Sequence, residues 1–157
     1  RPPARGGWKK GGPDHAIGRS RGGLTTKIHV VDARGLPVRF VLSPGQASDK
    51  TTVPHLLEGM SLSGDVVGDR GYFAKAVIAF IQERGATAHI PSQSNVRVRH
   101  SVEPELYRKR NLVERFFNRL KHFRAIATRY HKLARNFLAA IALAAVRLHV
   151  RHYESTT

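Results

Sequence analysis

Cysteine is absent from the 157-residue sequence, which excludes disulfide scaffolds, thiolate zinc sites and cysteine nucleophiles and suits a reducing compartment. Long apolar runs are also lacking. The longest, residues 137–146, falls far short of the roughly 20 residues that cross a bilayer. The first thirty residues contain no apolar stretch typical of a secretory signal. Methionine occurs once, at Met60, so we expect that residue 1 is not an intact translation start.

Acidic residues are scarce as well, with 11 Asp and Glu against 27 Lys and Arg and a net charge of +16. Such a surface repels itself and favours an anionic partner, with nucleic acid the main candidate and an anionic membrane surface its competitor. The 41% of hydrophobic residues is enough for a packed core, so a wholly disordered basic tail is excluded. The length suits one domain.

The positive charge is concentrated in two segments of the chain. Residues 1–30 carry +6, residues 31–96 are neutral, residues 97–135 carry +9 and residues 136–157 add +1. This pattern predicts a neutral core with two basic flanks, which would form a track for a phosphate backbone if both lay on one side. The alternative is that these lysines and arginines only solvate helix faces.

The pattern of residues predicts a basic Gly/Pro/Arg-rich arm or loop over 1–23, followed by a mixed α/β domain with one sheet over 24–157. Strands are predicted at 25–32, 37–42, 65–69 and 86–91, the first two forming a hairpin. Helices are predicted at 50–59, 73–84, 104–124 and 133–150. The apolar run 137–146 is expected to be buried on all sides.

The predicted helix at 104–124 has three faces when its residues are placed 100° apart. One stripe bears a single carboxylate between aromatic and cationic groups: Tyr107, Arg110, Glu114, Asn118 and Lys121. The apolar face comprises Leu112, Val113, Phe116, Phe117, Leu120 and Phe123. The third face is basic, with Arg108, Arg115, Arg119 and His122.

Glu114 has two interpretations. It forms a weak intrahelical salt bridge with Arg110 or Arg115, or it is an oxygen ligand for a divalent metal. The best second ligand is Asp69, because it ends a buried strand, where ligands of α/β sheets bind. Asp69 is otherwise a turn residue. Two carboxylates could hold Mg²⁺, and a pair of such ions supports phosphodiester chemistry, although a full site usually needs a third carboxylate.

Three segments resemble one known family. Tyr107, Arg110, Glu114 and Lys121 have the spacing of the Tyr-Arg-Glu-Lys signature of DDE transposases from bacterial insertion sequences. Residues 110–121 are similar to that family's helix almost letter for letter. Residues 68–72 (Gly-Asp-Arg-Gly-Tyr) resemble the segment with its second catalytic Asp, and residues 18–29 resemble the strand before it.

The resemblance implies a ribonuclease H-like fold, a mixed sheet flanked by helices with three carboxylates around Mg²⁺ or Mn²⁺, two ions in the intact site. Asp69 and Glu114 would then be catalytic metal ligands. The groups expected to bind DNA or support the site are Tyr107, Arg110, Lys121, Arg115, Asn118 and Arg119. The implied function is cleavage of DNA at terminal inverted repeats and transfer to target DNA, by a homodimer or larger assembly, in the bacterial cytoplasm at the nucleoid.

The sequence departs from the family pattern at its first catalytic Asp, which the family carries on a strand upstream of the glycine-rich loop. Asp14, Asp32 and Asp49 do not occupy that position. We therefore expect the C-terminal portion of a catalytic domain, truncated or from a split frame, inactive alone and with an exposed sheet edge. The alternative is a non-catalytic basic nucleic-acid-binding protein or transposase remnant, which is favoured if Asp69 and Glu114 cannot share a metal.

Overall fold

A computed structural model describes residues 15–33 and 35–154. The strands in these residues are β1 (Gly18–Ser20), β2 (Gly23–Ala33), β3 (Leu36–Pro44), β4 (Gly64–Val67) and β5 (Ala86–His89). The α-helices are α1 (Val53–Leu56), α2 (Lys75–Gln82), α3 (Pro104–Arg108), α4 (Asn111–Leu120), α5 (Arg124–Ala127) and α6 (Ala134–Glu154). The mixed α/β class and the order of the predicted strands are confirmed.

The strands form two sheets in the described chain, so the prediction of one sheet is wrong there. β2 and β3 form the predicted antiparallel hairpin, and the start of β2 also pairs with β1. The predicted arm or loop over 1–23 thus contains a short strand, while residues 1–14 lie outside the described residues. β4 and β5 form a separate parallel pair, in register from Gly64 opposite Ala86.

An inter-sheet cleft of about 480 Å³ separates β2 from β4. Val30 and Val31 line one wall, and Val66 and Val67 line the other. Among the described residues, β4 hydrogen-bonds to a strand on one side only, and most of β2 pairs only with β3. Both β2 and β4 therefore have an unpaired edge, and residues of both strands line the cleft.

Two hydrophobic cores flank these sheets. The first packs α1, α2 and β5 together: Val53, Leu57, Phe73, Val77, Ile81, Ala86, Ala88 and Ile90. The second packs α4, α5 and α6: Phe116, Leu120, Ile126, Phe137, Ile141, Ala144 and Ala145. Ile28 and Val30 of β2 pack on the second core, and Val31 packs on the first. Because side chains alternate along a strand, β2 contributes side chains to both cores.

The continuous helix predicted over 104–124 is wrong, since α3, α4 and α5 are separate. Between α3 and α4 the backbone N–H groups of Lys109 and Arg110 donate to carbonyls three residues back. Arg110 has φ −53° and ψ −27°, values typical of the tighter 3₁₀ geometry. The apolar period continues through such a turn, so periodicity alone does not reveal the break.

Other predicted helices differ at their bounds. The helix predicted at 73–84 is confirmed as the shorter α2, and the one predicted at 50–59 is a 3₁₀ turn at Asp49–Thr52 that runs into α1. No helix in the described part of the chain is long and apolar enough to cross a membrane.

α6 is buried on one face only, so the expectation of burial on all sides is wrong. Ile141 is fully buried, whereas Leu143 is 72% exposed and Val146 is 59% exposed. The helix packs against β3, α4 and α5, and these elements cover only one of its faces.

These exposures predict that two truncations on α6 change the free energy of unfolding by very different amounts. Ile141→Ala should lower the free energy of unfolding by about 2–5 kcal/mol, because it leaves a cavity in the second core. Leu143→Ala should change it by no more than about 0.5 kcal/mol, as is usual at the surface. Urea unfolding of both variants measures the difference. Equal losses would contradict the described packing of α6.

Candidate active site

Asp69 lies two residues beyond the end of β4 rather than at the strand end itself. It precedes a 3₁₀ turn at Arg70–Tyr72, in which the backbone N–H of Tyr72 donates to the Asp69 carbonyl at 2.9 Å. The Asp69 side chain is 52% exposed and makes no cap within this turn. Its carboxylate is therefore free to face α4.

Arg110 joins Asp69 to Glu114. Its Nη1 donates to Asp69 Oδ1 at 2.7 Å and lies 2.8 Å from Glu114 Oε1. The two carboxylate oxygens are thus no further apart than the sum of these distances. Partial burial lowers the pKa of Arg110, but the adjacent Asp69, Tyr107 and Glu114 outweigh it, so that pKa is raised. The guanidinium is a permanent cation between the two acids.

Asp69 and Arg110 line an open site cleft of about 650 Å³. Its described lining is Lys27, Ile28, His29, Asp49, Asp69, Arg70, Gly71, Tyr72, Tyr107, Arg110 and Phe117. Side chains from β2, from the 3₁₀ turns at Asp49–Thr52 and Arg70–Tyr72, and from α3 and α4 thus meet in one place. These elements bring charges of both signs together in one open cleft.

A second ion pair lies in the same cleft. Lys27 Nζ donates to Asp49 Oδ1 at 2.7 Å, and it also donates to the Ala47 carbonyl at 2.8 Å. A side chain at Gly71 would bring its Cβ within 2.8 Å of Asp49 Oδ2, so the Asp49 carboxylate would have to shift to admit one. Sequence reasoning set Asp49 aside, and the structure puts it beside the Asp69 turn.

A buried histidine fixes the Asp69 turn to the hairpin. His29 is 2% exposed, with Nδ1 2.7 Å from the Tyr72 hydroxyl and Nε2 2.7 Å from the Ser43 hydroxyl. Burial lowers the pKa of His29, and burial together with Asp49 and Asp69 raises the pKa of Tyr72. Both rings are therefore neutral near pH 7, and a neutral ring can both donate and accept.

The remaining predicted site residues fall into three groups. Tyr107 lines the site cleft, with its ring 5.4 Å from the Arg110 guanidinium carbon. Arg115 and Arg119 line a different pocket of about 160 Å³ beside the β2–β3 turn. Asn118 and Lys121 are exposed further along the chain, and the described lining of the site cleft does not include them.

The arrangement can hold a divalent cation at Asp69 and Glu114. Carboxylate oxygens are the ligands that Mg²⁺ and Mn²⁺ prefer, and here two of them already converge on one cationic nitrogen. Across residues 15–33 and 35–154, no group of three Asp, Glu, His or Cys side chains is arranged to hold a metal. Two carboxylates are therefore available to the cation here, and its remaining coordination positions are left to other ligands.

Known proteins resemble this chain over most of its length. The family model described as the transposase DDE domain matches residues 2–148. A curated protein of Brucella ovis, named as a transposase for insertion sequence element IS6501, is 38% identical over 133 residues, which cover 82% of this chain and 100% of that protein. No solved structure matches.

The chain belongs to the DDE transposase family. Members of this family act in DNA transposition. Their substrate is DNA, and they use a divalent metal. Lys27, His29 and Tyr72 of this transposase domain were not predicted as site residues from the sequence, and Asp49 was considered and set aside. A signal was present for two of them, because alternation along the predicted strand puts Lys27 and His29 on one face.

The buried His29 predicts a loss of stability in acid. Its pKa in the fold lies below 6.5, so below pH 6.5 the unfolded chain takes up a proton that the folded chain does not. The free energy of unfolding should therefore fall with decreasing pH, by at most about 1.4 kcal/mol per pH unit from this group. His29→Gln should reduce the slope between pH 7 and 5 in urea unfolding, and exposed His55→Gln is the control. Equal slopes for the two variants would contradict the assignment.

Proposed function

We propose that this transposase domain carries out metal-dependent cleavage of DNA strands at insertion-sequence ends and their transfer to target DNA. Asp69 and Glu114 act as its catalytic carboxylates. The observation that carries the proposal is their meeting on Arg110 Nη1, at 2.7 and 2.8 Å. Glu114 pairs with Arg110 one helical turn away, as the intrahelical salt bridge expected from the sequence, so the contact that depends on the fold is that of Asp69, 41 residues away in sequence.

Asp69 and Glu114 would hold Mg²⁺ or Mn²⁺ through their oxygens. When bound, the ions, two in a complete site, lower the pKa of an attacking water and stabilise the leaving oxygen. The chain's own groups bind and orient the DNA. Arg110 is suited to a phosphate near the scissile bond, because guanidinium binds phosphate through paired hydrogen bonds, and the Tyr107 ring supports its position.

The DNA path follows the basic second flank of the sequence. Arg115 and Arg119 line the small pocket beside the β2–β3 turn, and Lys121 and Asn118 extend the exposed face of this region. Contacts of this kind neutralise phosphates without reading sequence. The two reactions follow in order, in a homodimer or larger assembly at the bacterial nucleoid: water cleaves a phosphodiester and frees a 3′-hydroxyl, and this hydroxyl then attacks a phosphodiester of target DNA, joining to its phosphorus and releasing the 3′-hydroxyl of the target strand.

The domain is proposed to be ribonuclease H-like and to be completed by one further strand. The inter-sheet cleft supports this, because the free edges of β2 and β4 face it with apolar side chains. A strand placed there would hydrogen-bond to both edges and merge the two sheets. It would also bring a third carboxylate to the site, so residues 15–154 without it should cleave DNA poorly.

A second candidate function is non-catalytic DNA binding by a transposase remnant. The observation that favours it is the set of acids in the described residues, which includes no three-membered metal cluster. The two candidates differ in whether removing one carboxylate abolishes a reaction.

The test of the catalytic proposal is Glu114→Gln in a version of the protein to which the proposed further strand is supplied. Mg²⁺-dependent nicking of DNA bearing the element ends should fall by at least about a hundredfold, because a lost ligand costs more than the roughly 10- to 100-fold lost with a supporting group. Affinity for the same DNA should persist, since no positive charge is removed.

Glu105→Gln is the matched control, an exposed glutamate on α3 with the same change of charge. Its nicking rate should stay near that of the unsubstituted protein. Similar rates in the two variants would overturn the role of Glu114. Tight DNA binding without nicking in the unsubstituted protein would support the non-catalytic candidate.

A further inference from the structure

Arg110 occupies the position between the two proposed metal ligands. Its Nη1 is shared by Asp69 Oδ1 and Glu114 Oε1, so one positive charge pairs with two negative charges. The Tyr107 ring lies against the guanidinium, and the tight turn between α3 and α4 fixes the Arg110 backbone. Residues next to Arg110 in the chain therefore help to hold its guanidinium in this position.

A divalent cation and this guanidinium cannot hold the same two oxygens. Like charges a few ångströms apart repel, and an arginine cannot leave by losing its proton. The guanidinium can, however, move. The side chains of Arg110, Asp69 and Glu114 are 31%, 52% and 50% exposed, so water can solvate each group when the contact opens.

We propose that Arg110 is the built-in counter-cation of this metal site, and that a divalent cation binds by displacing its guanidinium from Asp69 and Glu114. This inference rests on the proposed function, since it takes these two carboxylates as the ligands. Without metal, Arg110 holds the acids together against their mutual repulsion. With metal, the released guanidinium becomes available to a DNA phosphate, so one exchange both loads the site and frees a DNA ligand.

Mn²⁺ binding to the isolated chain tests the exchange without requiring any cleavage. Mn²⁺ broadens nearby nuclear magnetic resonance signals, so the backbone amides of residues 70–72 report binding at Asp69. Arg110→Gln should tighten Mn²⁺ binding by at least about threefold, because two partly exposed ion pairs no longer compete. Arg108→Gln, an exposed arginine in the same region, removes the same charge and should change the affinity by less than about twofold, because salt screens distant charges.

Two further variants make each outcome decisive. Arg110→Lys keeps the charge but replaces the guanidinium with a strongly hydrated ammonium on a flexible stem, which holds the two acids less firmly, so it should bind Mn²⁺ more tightly than the unsubstituted chain. It replaces the glutamine variant if that variant unfolds. Asp69→Asn should abolish the broadening. Equal Mn²⁺ affinities with and without Arg110, together with loss in Asp69→Asn, would overturn the exchange and leave the proposed metal ligands standing. Broadening that does not depend on Asp69 in any variant would overturn the proposed metal site as well.

Discussion

The alternation of side chains along β2 is the constraint on which the site depends. Ile28 and Val30 point into the second core, so the residues that alternate with them along β2 face the opposite side. Those residues include Lys27 and His29, which line the site cleft. His29 then holds Tyr72 through its hydroxyl, and with it the turn that begins at Asp69. Packing on one face of a strand thus determines where an acid lies on the other.

The two proposed catalytic acids belong to different parts of the fold. Asp69 follows β4 beside the first core, and Glu114 lies on α4, whose apolar face forms the second core. Two carboxylates brought this close repel each other, and a shared cation offsets the repulsion. Arg110 supplies that cation, so its contact also ties α4 to the Asp69 turn. The site lies where the Asp69 turn meets α4, so it needs residues from beside both cores.

Much of this could be predicted from local patterns, and the errors have a common cause. The hairpin, α2 and the salt bridge of Glu114 with Arg110 follow from β-branched runs and helical periods. Periodicity cannot detect the turn before Arg110, because one 3₁₀ step barely changes which face a residue occupies. Nor can hydrophobicity show that Leu143 is exposed, since an apolar run does not reveal how many neighbours cover it. Asp49 was set aside because its place beside Gly71 depends on contacts distant in sequence, which local patterns do not show.

The charge of the chain bears on how the site fills with metal. A net charge of +16 disfavours the approach of a divalent cation from every direction, and Arg110 adds a cation at the ligands themselves. Bound DNA reverses both effects, since its phosphates lower the local potential and give the guanidinium another partner. On the proposed mechanism, metal therefore binds more tightly when DNA is present, and linkage requires DNA to bind more tightly when metal is present. A strongly basic domain with few acids would in this way load its metal mainly on its substrate.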